Sequence, residues 1–269
     1  MNNITKIGKV SIIDYEYVIK EEKDLTNLYT YLSNRSFNNF LNPLEYKDNR
    51  AKYEYKEDIT IDNNQKALDL IETVSSLHNK TAFLKEDDNN KKIFDRTRGY
   101  IKYLQDKYYN YLTSLELIEF PGNNEQIIMN NYSKIKYCLD FCDKEIVKWY
   151  KKVKDEKTVR VAQIHGKLKL EHLIRSDDNY LISWDNSMID TPIKDIIIFY
   201  KNEWDTINFK EVLDEYIKKT DISSAEKELL FVYLSIPIDD LKDASKFIRY
   251  IYKTEELIRP YYSVEEIEK

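Results

Sequence analysis

The sequence predicts an α+β protein of two lobes, a small antiparallel-sheet lobe followed by a large helical one. Three observations carry this. Residues 4–20 are rich in β-branched and aromatic side chains, and apolar residues recur at helical spacing over 62–153 and 191–260. Between those helical stretches, the run 159–196 alternates strand and turn signals. A chain of 269 residues is long enough for two lobes with a sizeable core.

In order, ITKIGKVSII and DYEYVIK read as strands, with Gly8 the only glycine near a turn. Asp24 caps a helix over DLTNLYTYLSNR, where Leu25, Leu28, Tyr29 and Leu32 share a side. A second strand pair falls within 41–61, punctuated by Pro43 and Asp48-Asn49. These elements make a small lobe over residues 1–61; residues 62–269 make the helical lobe, with the run 159–196 inside it. Asp62 opens that lobe and a helix carrying Ala67, Leu70, Ile71, Val74 and Leu77. The acidic and amide stretch 86–90 reads as a loop. Long helices follow over roughly 91–117 and 124–153, separated by Pro121-Gly122. Cys138 and Cys142, one helical turn apart, lie on the apolar stripe of the second. No further ligands stand at metal-binding spacing, so they read as structural thiols.

Past the central run, Pro192 suits a first helical turn and Ser223 to Glu226 has capping-box spacing. A last helix ends at Pro260, and 263–269 reads as a charged, solvated end. There is no internal repeat.

Composition excludes several classes. The balance of 42 basic against 48 acidic residues gives net charge -6, which disfavours a general nucleic-acid binder. No stretch approaches the ~20 apolar residues of a membrane span, and the first 20 residues lack a secretory pattern. Two cysteines give no disulfide framework. The expectation is a cytoplasmic protein without a membrane span.

The central run carries a resemblance. It reads His165-Gly166-Lys167, then His172-Leu173-Ile174, then Ile182-Ser183-Trp184-Asp185, then Asp190-Thr191-Pro192-Ile193-Lys194-Asp195-Ile196. In order and spacing this resembles the catalytic and metal loops of the aminoglycoside/choline kinase-like family, in particular its CotS-like spore coat branch. There, H-G-D-x-x-x-x-N leads to a hairpin ending in I-D-[WF] and a helix start of the form D-x-P-x-x-D. The resemblance implies a two-lobed protein-kinase-like fold, and Tyr17-Val18-Ile19-Lys20 resembles the strand whose lysine contacts ATP phosphates.

The same alignment implies lost chemistry. The family's catalytic aspartate falls on Lys167, its metal-binding asparagine on His172 and its metal-binding aspartate on Ser183. An ammonium cannot take a proton from a hydroxyl and repels a cation. Imidazole and a hydroxyl are poor ligands for Mg2+. Gly8 stands alone where a glycine-rich phosphate loop would be, and the helix after Lys20 offers that lysine no acidic partner. His165, Gly166 and Asp195 match structural positions, the histidine bracing the loop and the aspartate tying it to the helix. Asp185 shares a strand face with Ser183 and is placed to substitute for it; the plainer expectation is a hydrogen bond within the turn 185–187.

Two functions follow. The first is a pseudokinase, a binding or scaffold protein without cofactor. A protein partner or a small ligand would occupy the cleft between the lobes, and the setting implied by the resemblance is a bacterial forespore surface or spore coat. The second is an ATP- and Mg2+-dependent phosphotransferase with a rearranged site, Lys20, Lys167, His172 and Asp185 carrying it. A helical interaction protein unrelated to kinases is the third reading. The direction of the Lys167 ammonium discriminates: toward Asp185 it closes an inert salt bridge, toward open solvent in a cleft it leaves an anion site.

Overall fold

The computed structural model describes residues 4–7, 10–87, 89–238 and 241–262. Gly8 and the tail 263–269, read above as a turn and a solvated end, lie outside the described residues. Along the chain come β1 (Ile4–Ile7), β2 (Val10–Ile13), β3 (Tyr17–Glu21), α1 (Thr26–Asn34), β4 (Glu45–Lys47) and β5 (Arg50–Glu54). Then follow α2 (Asn63–Thr81), β6 (Phe83–Glu86), α3 (Asn90–Leu115), α4 (Asn123–Val153), β7 (Thr158–Ile164), β8 (Leu173–Arg175) and β9 (Asn179–Leu181). The last elements are β10 (Met188–Asp190), α5 (Ile193–Glu203), α6 (Phe209–Lys219), α7 (Ser224–Ser235) and α8 (Ala244–Ile258). By their packing they form two units, Met1–Phe83 with Arg160–Asp221, and Leu84–Val159 with Ile222–Lys269.

The first unit contains an antiparallel five-stranded sheet of order β1-β2-β3-β5-β4. Asp48 and Asn49, at positive φ, make the two-residue β4–β5 hairpin, the backbone twist such hairpins require, and Asp14 and Tyr15, also at positive φ, lie in the three-residue β2–β3 connection. Lys20 lies opposite Ala51, and Val18 opposite Tyr53, in the β3–β5 register. Helix α1 buries Tyr29 and Leu32, with Phe37 and Phe40 beneath them. Its N-cap is Leu25, and Asp24 accepts from Thr26 N at 2.9 Å one step further out. Asp62 caps α2 through Asn64 N and Gln65 N, and the stripe expected from the sequence is fully buried.

The same unit holds the central run. β7 pairs antiparallel with β10, and β8 with β9. The small sheet is strapped to the β8–β9 hairpin through the backbone: Leu181 N donates to Asn39 O (2.9 Å) and Ile59 N to Arg175 O (2.7 Å). Helices α5 and α6 complete the unit, burying Phe199, Tyr200, Leu213 and Tyr216.

The second unit is helical. Arg98 on α3 pairs with Asp143 on α4 at 2.7 Å, and Phe94 stacks on Tyr150 with ring centroids 4.4 Å apart. Ser223 and Glu226 form the expected capping box before α7. Cys142 is buried and Cys138 half-buried, and burial pushes the Cys142 thiol well up. Among the described residues no group of three His, Cys, Asp or Glu is placed to hold a metal. None of their helices is long and apolar enough to cross a membrane. Strand β6 corrects the sequence reading, which left 86–90 as a loop and saw no strand before it. Its four residues are all exposed, so no period-2 alternation marks them.

Candidate functional site

The His165-Gly166 turn leaves β7 along a path that only glycine fits. Gly166 has φ +81°, and a Cβ there would sit 2.2 Å from the Asn186 carbonyl oxygen, well inside contact distance. Asp195, fully buried in the first turn of α5, holds the turn from below. Its Oδ2 accepts from His165 N at 2.7 Å and its Oδ1 from Gly166 N at 2.8 Å. His165 braces the other side, its Nε2 2.8 Å from Ile182 O.

One member of this network is absent from the sequence reading. His78 of α2 is fully buried, with Nε2 3.2 Å from Asp195 Oδ2 and Nδ1 3.0 Å from Tyr216 OH. It ties α2 and α6 to the loop clamp. Burial opposes the charge on Asp195, and the His78 bond and the backbone N–H groups outweigh it, so its carboxyl is held below the ordinary range. A lone histidine on an apolar helix face gave no signal of this.

Lys20 projects from β3 into a closed ionic cluster. Its Nζ lies 2.6 Å from Asp185 Oδ2 and 2.7 Å from Glu22 Oε2. Burial works against its charge, but these two carboxylates win and the pKa rises. The buried Glu22 also accepts from Tyr53 OH, and Tyr53 OH lies 3.2 Å from Tyr29 OH. Burial pushes both tyrosines up. Glu22 was missed because the partner was sought on the following helix, whereas it lies two residues along the chain. Asp185 corrects a second expectation: it spans to Lys20 instead of bonding within its own turn.

Among the described residues no side chain–side chain bond joins the three altered positions, although Ile182 N donates to His172 O beside Ser183 and Lys167 N to His165 Nδ1. Lys167 is exposed, and its ammonium has no hydrogen bond or ion pair among the described residues. Neither direction weighed above holds: Lys167 is exposed but is not among the residues that line the cavity described below, and the salt bridge to Asp185 is made by Lys20. His172 is buried, its ring centroid 5.1 Å from that of His165. Burial first, then the neighbouring His165 charge, lowers its pKa to about 4. Ser183 adopts a left-handed backbone with φ 66° and ψ 51°, an arrangement that costs roughly 1–2 kcal/mol for a residue with a Cβ.

Above the hairpin is a cavity with about 560 Å³ of empty space, part of it open to solvent. Val10, Val18, Leu41, Ile174 and Ile182 give it apolar walls, and Lys20, Glu22 and Ser183 stand at its polar end. Lys20 brings one positive charge, and Glu22 and Asp185 two negative ones. That end therefore carries no surplus cation for a polyphosphate. For Mg2+, a hard cation that takes oxygen ligands, Asp185 offers a carboxylate paired through Oδ2 with Lys20, and Ser183 and His172 stand at the two positions that the resemblance gives to metal ligands.

The architecture is a protein-kinase-like fold of the aminoglycoside phosphotransferase type. An aminoglycoside phosphotransferase from Alicyclobacillus acidocaldarius superposes with TM-score 0.68 at 10% identity, over 99% of this chain and 92% of that one. An AMP-bound spectinomycin phosphotransferase gives 0.53 at 12% identity, over 99% and 92%. A glucosamine kinase in complex with glucosamine, ADP and inorganic phosphate gives 0.53 at 10%, over 96% and 79%. No family model and no curated protein matches the sequence. Identities this low establish the fold and leave activity to the residues.

Proposed function

We propose that this chain is a pseudokinase, a kinase-like fold that binds a ligand or partner without transferring phosphate. One observation carries the reading. Lys20, at the polar end of the cleft, is paired with Glu22 and Asp185, while the position that the resemblance gives to a catalytic carboxylate holds the exposed Lys167. A phosphoryl-transfer site is mostly positioned positive charge around the moving phosphate, plus a base for the nucleophile. Here the position for the base holds an ammonium. Loss of one such group costs on the order of 10²-fold in rate.

The cleft retains apolar walls suited to an uncharged ligand or to an apolar side chain of a partner protein. A bacterial, spore-coat-associated setting belongs to the proposal on the CotS-like resemblance alone. The test combines turnover and binding. With Mg2+ and ATP, and small hydroxylated acceptors, turnover should fall at least four orders below the ~1–100 s⁻¹ of ordinary kinases. Melting temperature should not rise with ATP more in the presence of Mg2+ than in its absence. Phosphate transfer at ordinary rates would overturn the proposal and establish the phosphotransferase with a rearranged site. A Mg2+-dependent stabilisation would restore the metal site that the donor set argues against.

A further inference from the structure

The outer face of α3 has a pattern that the cleft does not explain. Lys92, Arg96, Gly99, Tyr103, Asp106 and Asn110 are all exposed along it, spaced three or four residues apart so that they share one stripe. The buried residues Thr97, Ile101, Leu104 and Tyr108 face the opposite way, toward the unit's own core. At the middle of the stripe Tyr103 is 54% exposed and stacks with Tyr100, ring centroids 6.1 Å apart.

Gly99 is unexplained within the chain. The sequence has only 4 glycines, and this one occupies a helix interior where a Cβ would meet nothing within 4 Å. It has no positive φ to accommodate. Glycine there costs the helix about 1 kcal/mol relative to alanine. What it provides is a flat spot where another backbone can approach closely.

The charges specify which backbone. Arg96 and Asp106 have no ion-pair or hydrogen-bond partner among the described residues. They lie equally far, five residues either side, from Ile101. At 1.5 Å per residue, an antiparallel copy of α3 centred there sets each Arg96 opposite the other chain's Asp106. The same register sets Gly99 of each copy against the Tyr103 ring of the other. The contact is self-complementary, as a two-fold axis requires.

We infer that this face of α3 binds a second copy of the chain, giving a two-fold symmetric dimer through antiparallel α3 helices. The inference is independent of the pseudokinase reading. Arg96→Asp and Asp106→Arg test it, since each alone puts like charges at both ends of the contact, while a mixture restores opposite charges at both. By sedimentation, wild type dimerises; each variant's dissociation constant rises about 100-fold; and an equimolar mixture of the two variants dimerises again. Unchanged melting curves show that the exposed substitutions leave folding intact. A monomeric wild type overturns the inference, as do variants that dimerise like wild type or a mixture that stays monomeric.

Discussion

Asp195→Ala should destabilise the chain by about 3–5 kcal/mol. The carboxylate is fully buried and accepts from His165 N, Gly166 N and His78 Nε2. Alanine leaves two backbone N–H groups and the Nε2 of His78 without partners, and an orphaned buried donor costs roughly 1–3 kcal/mol. The loop cannot turn to water for relief, because Gly166 already packs against the Asn186 carbonyl. Urea unfolding monitored at the buried Trp184, whose indole lies 5.4 Å from the His165 ring, reads the effect through the denaturant midpoint. Lys136→Ala, which removes an exposed pair with Asp140, is the control and should cost less than about 1 kcal/mol. Loss below about 1 kcal/mol for Asp195→Ala would refute the clamp and reduce Asp195 to an ordinary helix residue.

Further outcomes follow from the same geometry. Lys20→Met strands the Glu22 carboxylate, whose side chain is 3% exposed, and should cost about 3 kcal/mol. Adding Glu22→Gln should recover more than half of that in a double-mutant cycle; additive losses would show that the two do not interact. Gly166→Ala should cost about 3 kcal/mol, from the left-handed backbone and the collision with Asn186, and an unaltered urea midpoint would contradict it. His172 is held at about 4 in the folded chain, below the ~6.5 of a free imidazole, so the unfolded chain binds more protons between these values. Stability should therefore fall as pH drops through that window, by about 2 kcal/mol at about pH 5. His165, lowered mainly by burial, acts in the same direction. His172→Gln should flatten the dependence, and a midpoint that rises on acidification would sink the assignment.

Periodicity and order made much of the architecture readable. The two long helices were placed at 91–117 and 124–153 and lie at Asn90–Leu115 and Asn123–Val153. Their apolar stripes persist over many turns, so a single misread residue changes little. The hairpin around 176–179 and the helix start near Pro192 were legible because turn chemistry is local. The partners of buried charges were not. Lys20 meets Asp185 across 165 residues of chain, and His78 meets Asp195 across 117; no spacing rule reaches that far. Glu22 lay close in sequence but sat at a strand end, where an acidic residue ordinarily reads as solvated.

The ionic cluster separates two kinds of loss. On the resemblance, Lys167 and Ser183 stand where groups would act on a phosphate, and the strand face expected to bring Asp185 in as a substitute is not formed, since Ser183 is left-handed and Trp184–Asn186 is a 3-10 turn. Asp185 does reach the site, two residues beyond Ser183, but it spends its charge on Lys20. Lys20 takes one oxygen, Oδ2, of a carboxylate whose side chain is 37% exposed, and a lysine so paired offers less attraction to phosphate. On the proposed reading, the barrier to phosphoryl transfer lies in the ammonium of Lys167 at the position of the base and in the pairing of Lys20 with Glu22 and Asp185.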